Sequence, residues 1–298
     1  MTVLNRGEDR ETDRVGFRVV DRLTDPEGSA NADWLGVAED CVLWMDGAAP
    51  LNAGRTRSDY PSDAAWLVRR FVGHFLASVG PAWRTRELVI EIQNRLAVEY
   101  DALGSAADVE REDLPFACFG AARLIDDTLE VTGAGDCVLL YETDEGTLAS
   151  FGHSAVAALE QKAVAALREA KARSGASHGE ALQSIVPHIL DNQAQRNRRF
   201  GYDVVEPIGD LSIDLERVLM PARPGRRLLA MSDGFYRAVD TYHLFTHEQL
   251  FEAAFENGLD DILARLRAAE ADDPEAHAHP RLKLQDDATA VAFMVEAY

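Results

Sequence analysis

Aspartate recurs at one kind of place in this chain, the edge of an apolar run. Cys41-Val-Leu-Trp-Met precedes Asp46-Gly47, Leu228-Leu-Ala-Met-Ser precedes Asp233-Gly234, and Asp286-Asp287 opens the run Ala288–Val295. A strand end is a rigid place from which to aim a carboxylate, and glycine lets the chain turn sharply or bring its carbonyl up to a ligand. Carboxylates converging from several strands repel one another unless cations intervene. Hard divalent ions with oxygen ligands, Mn2+ or Mg2+, are the expected occupants. Two such ions side by side acidify water and clamp a phosphoryl oxygen, which is the chemistry of phosphate-ester hydrolysis. Any one Asp-Gly pair taken alone is a turn signal.

The elements that must position these residues fall into groups. Val15–Val20, Trp34–Ala38 and Cys41–Met45 read as strands around turn chemistry at 24–28. Residues 62–79 place Ala64, Leu67, Val68, Phe71 and Phe75 on one helical face, and 85–103 predicts a second helix through Leu88, Ile92, Leu96 and Val98. Phe116–Ile125, Thr128–Thr132 and Cys137–Tyr141 read as three strands of a meander. Residues 154–172 and 180–196 read as helices, 211–215 and 227–231 as strands, 247–271 as one or two helices, and 288–295 as a closing strand. Strands grouped between helix pairs argue against a doubly wound parallel sheet and for antiparallel sheets covered by helices. With no internal repeat or low-complexity linker, 1–298 reads as a single domain.

Composition narrows the partners. Fifty-one acidic against 30 basic residues give a net charge of -21, a field that repels nucleic acid and anionic membranes. No apolar stretch is long enough to span a bilayer and the first residues are charged, so a soluble cytoplasmic protein is expected. Cys41, Cys118 and Cys137 lie in apolar runs without metal-ligand spacing and read as buried free thiols. Trp34, Trp44, Trp66 and Trp83 read as core or rim.

The order and wording of these pieces resemble the PPM/PP2C family of metal-dependent serine/threonine phosphatases along nearly the whole chain. Asn31-Ala32-Asp33 resembles that family's Asn-Glu-Asp element, Asp46-Gly47 its first metal-binding Asp-Gly, and Gly135-Asp136 its central Gly-Asp. Ser232-Asp233-Gly234 resembles its Ser-Asp-Gly, and Asp286-Asp287-Ala288-Thr289 its closing Asp-Asn-Ala-Thr. The resemblance implies an α+β four-layer αββα sandwich, two antiparallel sheets flanked by helix pairs with the metals in a cleft at one end. It implies that Asp46 bridges two Mn2+ or Mg2+ ions, Gly47 offers its carbonyl to one, Asp233 and Asp286 ligate the other, and Asp33 holds water. Asp136 matches a residue that in some members helps bind a third ion. The implied activity is hydrolysis of a phosphomonoester by hydroxide that the ions activate, with Asp46, Asp233 and Asp286 as the catalytic set. The implied substrate is a phosphorylated protein, with a small phosphorylated metabolite as the alternative.

Several positions depart from the pattern. Ala32 replaces the glutamate, Asp287 the asparagine, and Ala48-Ala49-Pro50 the Gly-rich continuation; no histidine follows Asp46-Gly47 as a proton donor. Gly28 stands near where an arginine would hold the substrate phosphate, and Arg55 and Arg57 are candidates to supply that charge from another direction. His277 and His279 form a possible metal-facing pair or a solvated loop, and Arg196–Arg199 is either a phosphate-meeting island or a charged helix end. A PP2C-like regulatory module that binds a partner without catalysis, or an unrelated fold in which the Asp-Gly pieces are only turns, stays open at this point.

Overall fold

A computed structural model describes residues 14–28, 30–49, 56–80, 83–104, 110–152, 155–209 and 213–298. Its strands are β1 (Val15–Asp25), β2 (Trp34–Ala38), β3 (Cys41–Ala48), β4 (Phe116–Ile125), β5 (Thr128–Ala134), β6 (Val138–Glu142), β7 (Leu148–Phe151), β8 (Glu216–Pro221), β9 (Arg227–Met231) and β10 (Ala288–Ala297). The helices are α1 (Asp63–Ser78), α2 (Thr85–Ala102), α3 (Ala155–Ser174), α4 (His178–Ser184), α5 (Val186–Gln193), α6 (Asp233–Asp240), α7 (His247–Glu256) and α8 (Leu259–Asp272). The strands make two antiparallel five-stranded sheets, ordered β1-β10-β9-β6-β7 and β2-β3-β4-β5-β8.

Alternation along the strands decides what each face meets. On β3, Cys41, Leu43 and Met45 pack against α1 and α2 through Leu67, Phe71, Leu88 and Ile92, while Val42 and Trp44 face the other sheet. On β9 and β10, Leu228, Ala230, Val291 and Phe293 point into that shared inter-sheet core, and Leu229, Met231, Ala290 and Ala292 pack on α6, α7 and α8. Each fully buried Leu or Phe contributes roughly 1.5–3 kcal/mol of transfer free energy, so three such layers of contact hold the sandwich. The helix α1 starts where Ser62 caps it, its side chain accepting from the Ala65 N–H at 3.0 Å. The four-layer α+β sandwich expected from the sequence is the fold.

Several local expectations change. The third strand of the supposed meander, β6, pairs with β9 and β7 in the other sheet. The crossing is made at Gly135, whose φ of +89° suits glycine and whose added Cβ would lie 2.2 Å from Cys118 Sγ. Of the alternating stretch 211–215, Leu211 and Ser212 lie outside the described residues, Ile213–Leu215 is irregular rather than a strand, and β8 begins at Glu216. Residues 180–196 divide into α4 and α5 at Ile185, next to Pro187. Val98 is 72% exposed, and Tyr100 takes the buried place on α2. Residues 24 and 25, read as turn, extend β1.

Outside the four layers, α3, α4 and α5 pack on one another through Leu167, Ala170, Ala181 and Ile185. From α3, Val156 and Leu159 reach back to the edge of the inter-sheet core.

Candidate metal centre

The strand registers bring the aspartates to one end of the sandwich. Asp46 pairs with Cys118 near the start of β4, and Ala134 at the end of β5 pairs with Phe119. In the other sheet Val138 at the start of β6 pairs with Met231 at the end of β9, and Ala288 at the start of β10 pairs with Asp25 at the end of β1. Asp33 precedes β2, Asp136 sits in the β5–β6 crossing, Asp233 opens α6 and Asp286 precedes β10. Asp46 continues the inter-sheet face set by Val42 and Trp44. Gly234 lets α6 begin hard against β10, since a Cβ there would lie 1.9 Å from the Asp287 carbonyl.

Small polar groups weld these ends together. Ser232 donates to the Asp33 carboxylate and accepts from the Thr289 N–H at 3.0 Å. Asp287 takes the Glu27 and Ala32 N–H groups, each at 2.7 Å, so it fixes the loop that carries Asp33. An asparagine would offer only one carboxamide oxygen for those two donors.

No family model matches the sequence, and no characterised protein matches it by sequence. Solved structures match over nearly the whole chain. The Staphylococcus aureus serine/threonine phosphatase Stp1 is 12% identical, with 99% of this chain and 100% of that one covered at a TM-score of 0.55. The Mycobacterium tuberculosis serine/threonine phosphatase PstP/Ppp is 13% identical, with 95% and 98% covered at 0.52. The catalytic domain of PstP in complex with two manganese ions is 15% identical, with 95% and 100% covered at 0.54. The chain has the PP2C fold.

On this PP2C fold the site is short of counter-charge. Burial, with Asp286, Asp287 and Asp233 nearby, pushes Asp33 well above the usual carboxylate range. Asp33 is 1% exposed and its Oδ2 has no hydrogen-bond partner. Desolvation and the charge of Asp233 raise Asp46 as well. Against the same desolvation, Asp233 is held below its ordinary value by a hydrogen bond from Asp46 and by Arg237 and Lys283. Two carboxylates bond in this way only with a proton between them. Burial and Asp233 push Asp136 up to about 7, against a bond from the Cys118 thiol.

Asp286 differs from the others. Arg237 Nη2 donates to its Oδ2 at 2.6 Å and Lys283 Nζ to its Oδ1 at 2.5 Å. With Asp286 so engaged and Asp46 bonded to Asp233, no group of three or more Asp, Glu, His or Cys among the described residues is spaced to hold an ion as it stands. The donor set still suits Mn2+ or Mg2+: every donor is a hard oxygen, the Asp33 Oδ2 is buried without a hydrogen-bond partner among the described residues, and burial with the charge of Asp233 raises Asp46.

Above these carboxylates opens a cavity of about 710 Å3, bordered by Asp136, Asp233 and Asp286 and walled by Phe116, Leu159 and Ile189. The apolar wall comes in part from α3 and α5. Glu160 of α3 also borders it, raised to about 7 by burial and by Asp233. Sequence reasoning missed Glu160, Glu27, Lys283 and Arg237. The spacing of Asp233 and Arg237 four apart, and of Lys283 and Asp286 three apart, was the available signal.

Other candidates are used elsewhere. Arg55 lies outside the described residues. The Arg57 N–H donates to Asp63, its Nη1 donates to the Gly104 carbonyl, and its guanidinium lies over Tyr100. The backbone N–H groups of His277 and His279 bond to Asp273, and His279 Nδ1 meets the Thr241 carbonyl at 2.9 Å. Arg196 is neither island nor exposed helix end: it is 2% exposed, bonded to Glu206 at 2.9 Å and stacked 4.2 Å over Phe116. The three cysteines are buried and free. Trp44 is fully buried and Trp66 nearly so, while Trp83 is exposed. Among the described residues no helix is long and apolar enough to cross a membrane.

Proposed function

We propose that the chain hydrolyses phosphomonoesters with two divalent cations, and that its substrates are phosphoserine and phosphothreonine side chains. The reading rests on one observation, the convergence of aspartates from five separate segments on a cleft that leaves Asp33, Asp46 and Asp136 without cationic partners of their own. The neighbours of this fold are serine/threonine phosphatases, which supports the same direction.

Asp33, Asp46, Gly47, Asp136 and Asp233 would hold Mn2+ or Mg2+, with Asp286 joining as Arg237 or Lys283 yields an oxygen. Bound there, such ions supply acidified water and neutralise phosphoryl charge. The protein's own groups do the rest. Ser232 fixes Asp33 so that its free oxygen can orient water, and Arg237 sets the angle of Asp286. The apolar wall from α3 and α5 lowers the local dielectric on one side of the cavity, which strengthens charge interactions beside it.

The test is hydrolysis of p-nitrophenyl phosphate and of a phosphothreonine peptide with and without Mn2+. Asp46→Ala and Asp233→Ala should each lose at least about a thousandfold, near 4 kcal/mol of transition-state stabilisation. Turnover of the small ester with none of the peptide would move the substrate to a phosphorylated metabolite. A second reading, a partner-binding module without catalysis, is favoured by the double engagement of Asp286. It predicts no turnover and no Mn2+-dependent rise in melting temperature.

A further inference from the structure

A phosphate dianion entering the cavity passes a border rich in carboxylates and needs a cation of the protein to hold it. Gly28 borders the cavity where a phosphate-holding arginine was expected, and a Cβ built on it would meet nothing within 4 Å. Arg57 is turned toward Gly104 and Tyr100. Arg237 is 5% exposed, is spent on Asp286 and does not border the cavity. Among the described residues that do border it, Lys283 is the one lysine or arginine.

Lys283 reaches the site from the loop before β10. Its side chain is 52% exposed, yet its ammonium is fixed 2.5 Å from Asp286 Oδ1. An ammonium carries three donors. Asp286 takes one, which leaves two for a ligand. The tether also removes rotamer freedom before any ligand arrives, so less ordering cost falls on binding.

Resting on the phosphatase reading, we infer that Lys283 is the phosphate-holding residue of this site, donating to a non-bridging oxygen of the substrate in place of the absent arginine. No bond is made or broken at Lys283. It sets affinity for the phosphate, and through it the preference for phosphomonoesters over neutral esters.

The experiment compares the full chain with Lys283→Met and Lys283→Arg. KM and kcat for p-nitrophenyl phosphate are read with Mn2+, and binding of inorganic phosphate to the Mg2+-loaded proteins is read by calorimetry, with Mg2+ affinity as a separate titration. Loss of one charge-assisted bond should weaken phosphate binding and raise KM by about tenfold in Lys283→Met. Lys283→Arg should recover most of both, and Mg2+ affinity should hold or tighten in Lys283→Met because a competing cation is gone. Phosphate affinity within twofold of the native chain in Lys283→Met would overturn the assignment and leave Lys283 as a counter-ion of Asp286. Phosphate weakened only in proportion to a loss of Mg2+ affinity would overturn it too. If the native chain turns over nothing, the phosphatase reading fails, and calorimetry still decides the lysine: phosphate bound by the native chain and lost in Lys283→Met supports it, and no phosphate bound by the native chain overturns it.

Discussion

The buried charged clusters in this molecule follow two opposite plans. Glu206, fully buried, has Oε1 bonded to Arg196 at 2.9 Å and Oε2 to Arg111 and Asn197 at 2.8 Å each. Glu130, 3% exposed, is likewise met by Arg217 at 2.7 Å, by Arg123 and by the Thr85 hydroxyl. At the other plan's centre, Asp33 keeps an oxygen without a partner among the described residues, and burial with the charge of Asp233 raises Asp46. The first plan neutralises its carboxylates from within and serves structure. The second leaves a deficit that only something from solution can fill. A buried carboxylate by itself therefore says little about function, and the absence of its guanidinium says much.

Breaking the structural cluster should have the largest effect on stability. Glu206→Ala leaves two guanidinium groups uncompensated and should cost about 3–5 kcal/mol in denaturant unfolding, with no recovery on adding Mn2+. A loss under 1 kcal/mol would erase the contrast. Filling the other cluster should come next: at a hundred times its dissociation constant, Mn2+ should stabilise the native chain by about 2.7 kcal/mol, read as a rise in melting temperature that Asp233→Ala abolishes.

The pH dependence sharpens the comparison further. Asp136 and Glu160 bind protons more tightly folded than unfolded, with values near 7 in place of 3.8 and 4.5. Between those limits the native state carries more protons than the unfolded one, so stability falls as pH rises through the window. Metal-free protein should lose on the order of 2 kcal/mol between pH 6 and 7, and saturating Mg2+ should flatten that slope. The smallest effect is expected from Asp46→Asn, which relieves like-charge crowding and should stabilise the metal-free chain by about 0.5–1 kcal/mol while weakening its Mn2+ response.

Asp46, Asp233 and Asp286 were legible because each sits at the edge of an apolar run, a local signal, whereas Asp33 and Asp136 were read only through the family resemblance. Which sheet a strand joins is not local. β6 carries the same pattern whether it continues a meander or crosses over, and only the positive φ of Gly135 marks the difference. Arg237 was hidden because Asp233-Gly234 reads as a turn, whereas the chain goes straight from β9 into α6 and so sets Arg237 one turn beyond the aspartate. Glu160 reads as a solvated helix charge until α3 is known to lie against the cleft. Arg196 reads as exposed until Glu206, ten residues on, folds back to it.

The place of β10 has a consequence for how the protein comes into being. The last strand of the chain lies between the first, β1, and β9. During synthesis β1 therefore emerges with its partner edge unmet and waits until β10 has been made. Asp286, at the entrance to β10, reaches the cleft only when that strand is zipped in. Its ion pair with Arg237 therefore waits on closure of the sheet.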